Sequence, residues 1–279
     1  MRRIEQARTA ERKALLASIV RKFHDDQRLL AFWLEGSLGR GRFDAWSDLD
    51  MWTVARDEDF ESVVADRYRI IETIGDLVLT VESPQNGPSG GFYLMAGFDC
   101  PTGIQLVDWY CQPASKACQP RSESVVFVRP ELAESKRWQS TTPEDGIELI
   151  FRRQEGSDDS IRLNQPYVAW HPSEEEERVN SGYLAWAMIA IQAKQIVRAP
   201  HAAGLQFETF IANLVAKASS HKQTLRPSTV DAAKPGEKLD RLIDLSGGLI
   251  RVLPAHVKLQ ESILRTLSAA RHSLPRADR

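Results

Sequence analysis

Apolar and polar positions along the first 130 residues follow two different periods. Apolar residues recur at helical spacing over 4–26 and 57–74, which predicts two amphipathic helices. Short apolar or alternating runs predict strands at 29–34, 48–54, 77–81, 92–98, 104–110 and 125–128. The two runs on either side of the Pro- and Gly-containing segment 99–103 are expected to pair as a β-hairpin. Residues 36–47 and 83–91 are rich in glycine and polar residues, which predicts loops.

The second half of the chain shows helical patterns and no strand pattern. Ser173 followed by the four glutamates Glu174–Glu177 predicts the capped N-terminus of a long helix. Other helices are predicted at 145–154, 207–219, 238–245 and 255–272. The change of pattern between 130 and 160 separates a strand-rich module from an all-helical one, so the expected fold class is α+β.

Composition narrows the class of protein further. Of the 279 residues, 42% are hydrophobic and 27% are charged, which is typical of a globular chain and excludes collagen and coiled coils. Lys and Arg together number 36, and Asp and Glu together number 38. The resulting net charge of −2 argues against a long nucleic acid as partner. The three cysteines predict no disulfide framework, and the apolar pattern predicts neither a signal peptide nor a membrane span. We therefore expect a cytoplasmic protein with no membrane partner.

The segment between residues 36 and 50 holds the candidate chemistry. Asp48 and Asp50 lie two residues apart on a predicted strand, so their carboxylates point to the same face. Neighbouring carboxylates repel each other unless a cation lies between them, and Mg²⁺ prefers such oxygen ligands. Upstream, the Gly36-Ser37 turn follows an apolar strand, and its amides and hydroxyl can hold phosphate oxygens. A metal site beside a phosphate-holding turn is typical of phosphoryl or nucleotidyl transfer.

Three pieces of this segment, Gly36-Ser37, Arg40-Gly41 and Ser47-Asp48-Leu49-Asp50, together resemble the signature of the DNA polymerase β-type nucleotidyltransferase superfamily. The likeness is closest to small bacterial members that adenylylate antibiotics such as aminoglycosides and lincosamides. It implies that residues 1–135 form a nucleotidyltransferase domain, in which a mixed sheet with flanking helices carries the site. It also implies that residues 136–279 form a helical-bundle domain that binds the acceptor.

The resemblance also implies roles for single residues. Three carboxylates are expected to hold Mg²⁺ and to act in catalysis, and the nucleotide is expected to be bound by Gly36, Ser37, Arg40 and Ser47. Asp48 and Asp50 are two of the carboxylates, and the third comes from a later strand. We assign it to Asp108, because this residue interrupts the apolar run 104–110 and a buried carboxylate needs a partner or a metal.

Alternatives remain for several residues. Glu82 competes with Asp108 as third ligand, and Asp99 is disfavoured because it lies at a turn. Structural roles are favoured for Glu35, for Asp44, and for Trp46 and Trp52 as core residues. Lys194 is interpreted as a surface lysine whose alkyl chain covers apolar neighbours, with a contact to the triphosphate as the alternative. The acidic run Glu174–Glu177 is favoured as a solvated helix start over an aminoglycoside-binding patch.

The expected activity is therefore that of an adenylyltransferase. It would move AMP from ATP, with Mg²⁺, to a hydroxyl of a small acceptor, for which an aminoglycoside or lincosamide is the candidate. Asp108 would be both metal ligand and general base. Two alternatives stay open: an enzyme that modifies a protein or RNA, as toxin–antitoxin relatives do, and a nucleotide-binding module without catalysis. The sequence leaves open ATP or GTP, and monomer or homodimer.

Overall fold

A mixed β-sheet forms the centre of the N-terminal part of the chain. The computed structural model describes residues 2–120, 125–141, 171–200, 205–219, 234–253 and 256–275. The strands are β1 (Leu29–Leu34), β2 (Leu49–Ala55), β3 (Leu77–Glu82), β4 (Phe92–Phe98), β5 (Gln105–Pro113) and β6 (Val125–Val128). The helices of this part are α1 (Arg2–Asp25), α2 (Gly36–Gly39), α3 (Phe60–Glu72), α4 (Pro130–Ala133) and α5 (Lys136–Ser140).

The order of the strands brings the predicted carboxylates to the middle of the sheet. The six strands follow the order β3-β4-β5-β2-β1-β6. β2 and β5 pair in parallel, and the other neighbouring strands pair antiparallel. A parallel pair needs a long crossover connection, and here α3 and the strands β3 and β4 lie between β2 and β5 along the chain.

One face of the sheet is covered by α1 and α3. Their apolar side chains pack against the odd-numbered positions of β2 and β5, for example Met51 and Trp109, both of which are fully buried. Successive side chains of a strand point to opposite faces, so the even-numbered positions, which include Asp50 and Asp108, belong to the other face. The alternation of the sequence therefore decides which face carries the candidate site.

The other face is covered by two separate groups of helices. Over β3, β4 and β5 lie the C-terminal helices α6 (Glu174–Arg198), α7 (Leu205–Ala218), α8 (Pro235–Val252) and α9 (Val257–Ser273). Over β1 and β2, the short helices α4 and α5 contribute Leu132 and Trp138 to a second cluster, which includes Trp33 and Trp52. Tyr110 packs against both clusters. The even-numbered positions of β2 and β5 thus lie where the two coverings meet.

Polar contacts also join the helices to the sheet. The hydroxyl of Thr266 accepts a hydrogen bond of 2.8 Å from the amide of Ile104, and the amide side chain of Asn180 exchanges two 3.0 Å bonds with the backbone of Glu82. Gly103 lies so close to α9 that an added Cβ would be 2.2 Å from the hydroxyl oxygen of Thr266. Among the described helices, none has the length and apolar character needed to cross a membrane.

The structure confirms the α+β class and most of the predicted elements. All six predicted strands are present, and β4 and β5 form the predicted hairpin. The prediction of a continuous loop over 36–47 was wrong at its start, because Gly36–Gly39 form one helical turn. The helix predicted at 238–245 is longer, since Pro235 begins it and Val252 ends it. The helix predicted at 145–154 lies outside the described residues.

Candidate metal and nucleotide site

Asp50 and Asp108 lie directly opposite each other on the parallel strands β2 and β5. Neighbouring strands are about 4.8 Å apart, so the two carboxyl groups start from adjacent positions on one face. The next pair on that face, Trp52 and Tyr110, stacks with ring centroids 5.2 Å apart, which shows that side chains at these positions meet. Both carboxylates are half-buried. The structure therefore brings together two of the three predicted metal ligands.

Gly36 places the predicted phosphate-binding turn against Asp50. Its φ of 62° lies in the left-handed region that favours glycine, and an added Cβ would lie 1.7 Å from Oδ2 of Asp50. The amide of Glu35 donates a 2.8 Å hydrogen bond to the carbonyl oxygen of Asp50. Ser37 lies on the helical turn α2, and the exposed Arg40 follows it. The turn and a predicted metal ligand are thus direct neighbours.

Both carboxylates of this pair hold protons more tightly than an ordinary aspartate. Burial, followed by the charge of Asp48, raises the pKa of Asp50 to about 6. Burial, followed by the charge of Asp50, raises the pKa of Asp108 to about 7. The charges of Lys194 and Arg40 lower the pKa of Asp50, which places both cations within electrostatic reach. These two cations do not offset the effects of burial and like charge on the pair, and a divalent cation would supply the further positive charge.

Asp48, the remaining predicted ligand, binds a lysine from the C-terminal helices. Its Oδ2 accepts a hydrogen bond from Nζ of Lys194 on α6, and the two groups form an ion pair. Only 10% of the Lys194 side chain is exposed. The interpretation of Lys194 as a surface lysine was therefore wrong, because its amine enters the interior to neutralise a half-buried carboxylate. Whether it also contacts a triphosphate stays a prediction.

Tyr93 orients Asp108 from the neighbouring strand β4. Its hydroxyl donates a 2.5 Å hydrogen bond to Oδ1 of Asp108. This bond lowers the pKa of Asp108 and opposes the effect of burial. Burial in turn raises the pKa of Tyr93 well above its usual range, so the phenol stays protonated as a donor. With Oδ1 held in this way, Oδ2 is the oxygen left for a metal or an acceptor proton.

The loop that precedes Asp48 is held from two sides by arginines. Arg12 on α1, only 3% exposed, donates to the carbonyl oxygens of Asp44 at 2.6 Å and Ser47 at 3.2 Å. Arg198 at the end of α6 binds both carboxylate oxygens of Asp44, at 2.7 and 2.6 Å, and the hydroxyl of Ser47 at 3.1 Å. Charge-assisted bonds of this kind fix the loop firmly. We call Arg12, Asp44, Ser47 and Arg198 the loop clamp.

The loop clamp bears on two of the predicted roles. Ser47, assigned to nucleotide binding, is buried, and its hydroxyl also bonds the amide of Asp44 at 3.1 Å. Its nucleotide contact stays a prediction. The structural role expected for Asp44 is confirmed, since this residue joins the loop to α6. Next to the clamp, the guanidinium of Arg8 lies 4.2 Å from the ring centroid of Trp46, which packs as a core residue.

The competing carboxylates are engaged elsewhere. Glu82 accepts hydrogen bonds from Arg67 at 3.0 and 2.9 Å and from the hydroxyl of Tyr68, both on α3. Asp99 pairs with Arg265 on α9. Each therefore has a structural partner of its own, and β3 with Glu82 lies two strands away from β5.

Three structural interpretations from the sequence are confirmed. Trp52 is 4% exposed and packs as a core residue. Glu35 accepts a 2.8 Å hydrogen bond from the indole of Trp33. The acidic run starts α6 as expected, with a capping box between Ser173 and Glu176.

The donor set at the centre of the sheet fits a hard cation such as Mg²⁺, because all of its candidate ligands are carboxylate oxygens. Asp50 lies opposite Asp108 on the neighbouring strand and next to the Gly36 turn. Within the described ranges, no group of three or more His, Cys, Asp or Glu side chains is arranged to hold a metal ion. Asp48, the remaining predicted ligand, is instead bound to Lys194.

Comparison of the chain with protein-family models finds no match, and comparison with curated proteins finds no relative. The resemblance to the nucleotidyltransferase superfamily therefore depends on the residues of the motif alone.

Sequence reasoning missed Tyr93 and the arginines of the loop clamp. The hairpin of β4 and β5 was predicted without a register, and it is the observed pairing of Phe98 with Gln105 that places Tyr93 diagonal to Asp108. For Lys194 the signal was a single cation within an apolar helical stretch. Arg12 offered no comparable signal, since its spacing on α1 is that of an ordinary polar position.

Proposed function

We propose that this chain is a Mg²⁺-dependent nucleotidyltransferase that moves a nucleoside monophosphate, AMP from ATP, to a hydroxyl group of a small acceptor. The observation that carries the proposal is the position of Asp50 opposite Asp108, with the Gly36 turn in contact with Asp50. Paired carboxylates with raised pKa values next to a glycine turn support the proposal, because this chemistry needs a metal site beside a phosphate site.

The proposal gives the predicted site residues separate roles in binding metal, binding phosphate and accepting a proton. Asp48, Asp50 and Asp108 would hold Mg²⁺, which when bound neutralises phosphate charge and favours an ionised acceptor hydroxyl. The amides of the Gly36-Ser37 turn and the guanidinium of Arg40 would hold the triphosphate. The acceptor oxygen forms a bond to the α-phosphorus, the bond to the β-phosphate oxygen breaks, and pyrophosphate leaves. Asp108, oriented by Tyr93, would take the hydroxyl proton on its free oxygen.

The acceptor would enter between the two groups of helices that cover this face of the sheet. One side of that space belongs to α6, which brings Lys194 to the site, and the other to the cluster of Trp52 and Trp138. We assign the binding of nucleotide and metal to residues 1–135 and the choice of acceptor to residues 136–279. The net charge of −2 favours a small molecule over RNA as the acceptor.

Mass spectrometry after incubation with ATP and Mg²⁺ tests the proposal. Candidate antibiotics, a lysate protein fraction and an RNA pool are offered separately, and the expected product is an antibiotic heavier by one AMP. AMP on a protein or on RNA would support the alternative acceptor. Absence of transfer to all three, combined with ATP binding, would instead support a nucleotide-binding module. Asp108→Asn is the matched inactive control, with a turnover expected to fall about 100-fold or more.

A further inference from the structure

Lys194 on α6 has surroundings that differ from those of Lys217, the lysine of α7. Its side chain is 10% exposed, whereas that of Lys217, on α7, is 52% exposed and pairs at the surface with Glu177. The amine of Lys194 reaches from the buried side of α6 to Oδ2 of Asp48. Burial of an ammonium group is costly unless a carboxylate compensates for it, so the contact with Asp48 is the reason for this position.

The charge of Lys194 also acts on the rest of the carboxylate group. It stabilises the ionised forms of Asp50 and Asp108. One cationic amine thus partly neutralises all three carboxylates from the position of Asp48. A divalent cation on the same carboxylates would perform this task with twice the charge. Lys194 and the cation therefore compete for the same oxygen.

We infer that Lys194 is an internal counter-ion that occupies the place of the metal on Asp48, and that metal binding must displace it. The inference rests on the proposed function, since it assumes that Asp48 is a metal ligand. Displacement requires only a side-chain movement, because Arg198, one helical turn further along α6, stays bound to Asp44 through the loop clamp. The helix can therefore remain on the motif loop while the side chain of Lys194 leaves Asp48.

The affinity of the full chain for Mn²⁺ alone, without nucleotide, provides the first test. Lys194→Met removes the competing charge, so we expect Mn²⁺ to bind about five-fold or more tightly than to the unchanged protein. Lys194→Arg should bind Mn²⁺ as weakly as the unchanged protein. Lys217→Met removes a charge of the same kind from a surface pair and should leave the affinity unchanged. Unchanged or weaker binding to Lys194→Met would overturn the inference.

Amine labelling provides a second test that does not depend on a variant folding. A water-soluble acetylating reagent is applied to the unchanged protein with and without Mg²⁺, and each lysine is quantified by mass spectrometry. Displacement predicts that labelling of Lys194 rises several-fold with Mg²⁺, whereas labelling of Lys217 stays constant. Constant labelling of Lys194 at a Mg²⁺ concentration that supports nucleotide transfer would disprove displacement and leave the proposed function intact. Failure of the proposed function would instead show as absent transfer and absent Mn²⁺ binding.

Discussion

The three candidate carboxylates have different environments, and single residues cause the difference. Asp48 has a cationic partner in Lys194, Asp108 has a neutral donor in Tyr93, and Asp50 faces other carboxylates and the Gly36 turn. In the absence of a metal, Asp48 is paired with Lys194, whereas burial and like charge disfavour the ionised forms of Asp50 and Asp108. Substitutions of the three residues should therefore affect stability with different signs.

Asp50→Asn and Asp48→Asn should both abolish nucleotide transfer but change metal-free stability in opposite directions. At pH 8 the Asp50 variant loses a carboxylate that like charge and burial disfavour, and we expect a gain of about 1 kcal/mol in the free energy of unfolding. The Asp48 variant leaves the amine of Lys194 buried without its partner, which should cost about 1–3 kcal/mol. Urea unfolding measures both values, and a gain in the Asp48 variant would contradict this assignment of partners.

The sequence predicted Asp48, Asp50 and the turn residues because they lie within one short motif, and it predicted Asp108 because this residue interrupts an apolar run. It did not predict the partners of these residues. Repulsion between neighbouring carboxylates alone would give Asp48→Ala the same small gain in stability as Asp50→Ala. The structure reverses that expectation for Asp48, since Lys194 is 146 residues away in the chain and its approach depends on how α6 packs. Local spacing carries no information about such a contact.

At the scale of elements, the connection between β1 and α2 determines how closely the backbone approaches the site. Gly36 and Gly41 have nearly the same left-handed φ, 62° and 63°. A Cβ on Gly36 would collide with Asp50, whereas a Cβ on Gly41 would meet no atom within 4 Å. The two glycines therefore separate the cost of backbone strain from the cost of steric conflict at the site.

Gly36→Ala should be much more damaging than Gly41→Ala. The strain of a left-handed alanine, about 1 kcal/mol, applies to both variants. Only Gly36→Ala must also move Asp50 or the turn, so we expect a further loss of about 1–3 kcal/mol and loss of transfer activity. Thermal unfolding and a transfer assay on both variants test this expectation. Equal effects would mean that the turn does not need its close contact with Asp50.

The strands were predictable from the sequence, whereas their order was not. Alternation and apolar runs gave all six strands, and the hairpin of β4 and β5 followed from its short turn. The parallel pairing of β2 with β5 depends on contacts between distant segments, which local patterns do not encode. The single turn of α2 was missed because glycine and serine are poor helix formers, and the contact of this turn with Asp50 outweighs that preference.

At the scale of the whole molecule, one hydrophobic cluster includes residues from both predicted domains. Side chains of the sheet, among them Val81 and Leu106, pack with Trp186 and Ile263 of the C-terminal helices. Removal of the helices would expose this sheet face to water. The predicted boundary near residue 135 thus divides a chain whose two parts share one hydrophobic core.

We expect the full chain to unfold in a single calorimetric transition, because neither part can bury its apolar face alone. A fragment of residues 1–135 should fail to fold and should bind a hydrophobic dye, since the face of Val81 and Leu106 would be exposed. Scanning calorimetry of the full chain and circular dichroism of the fragment provide the measurements. Two separate transitions, or a folded fragment, would show independent domains.

The stability of the whole chain should depend on pH through the carboxylate pair. The pKa values of about 6 for Asp50 and about 7 for Asp108 lie above the ordinary value of 3.8. Between about pH 4 and pH 7 the native state therefore holds more protons than the unfolded state, and the free energy of unfolding falls as the pH rises. Protons compete with Mg²⁺, so the increase in Tm caused by Mg²⁺ should grow over the same window.

Calorimetric scans at about pH 5 and about pH 8, with and without millimolar Mg²⁺, measure this dependence. In the double variant Asp50→Asn and Asp108→Asn, the contribution of the pair should be absent at both pH values. A Mg²⁺ effect on Tm that is equal at both pH values in the unchanged protein would argue against metal binding at these carboxylates.

The distance along the chain between β2 and β5 has a kinetic consequence. Asp50 and Asp108 lie opposite each other although their positions in the chain differ by 58, with α3, β3 and β4 in between. Pairings of such large separation form late in folding, so an unfolded or half-folded chain offers a ligand only single carboxylates. Metal and nucleotide should accordingly leave the rate of folding unchanged and slow the rate of unfolding. In a cell, the concentration of ligand would then determine how long the folded protein resists proteolysis. It would not change how quickly a newly made chain folds.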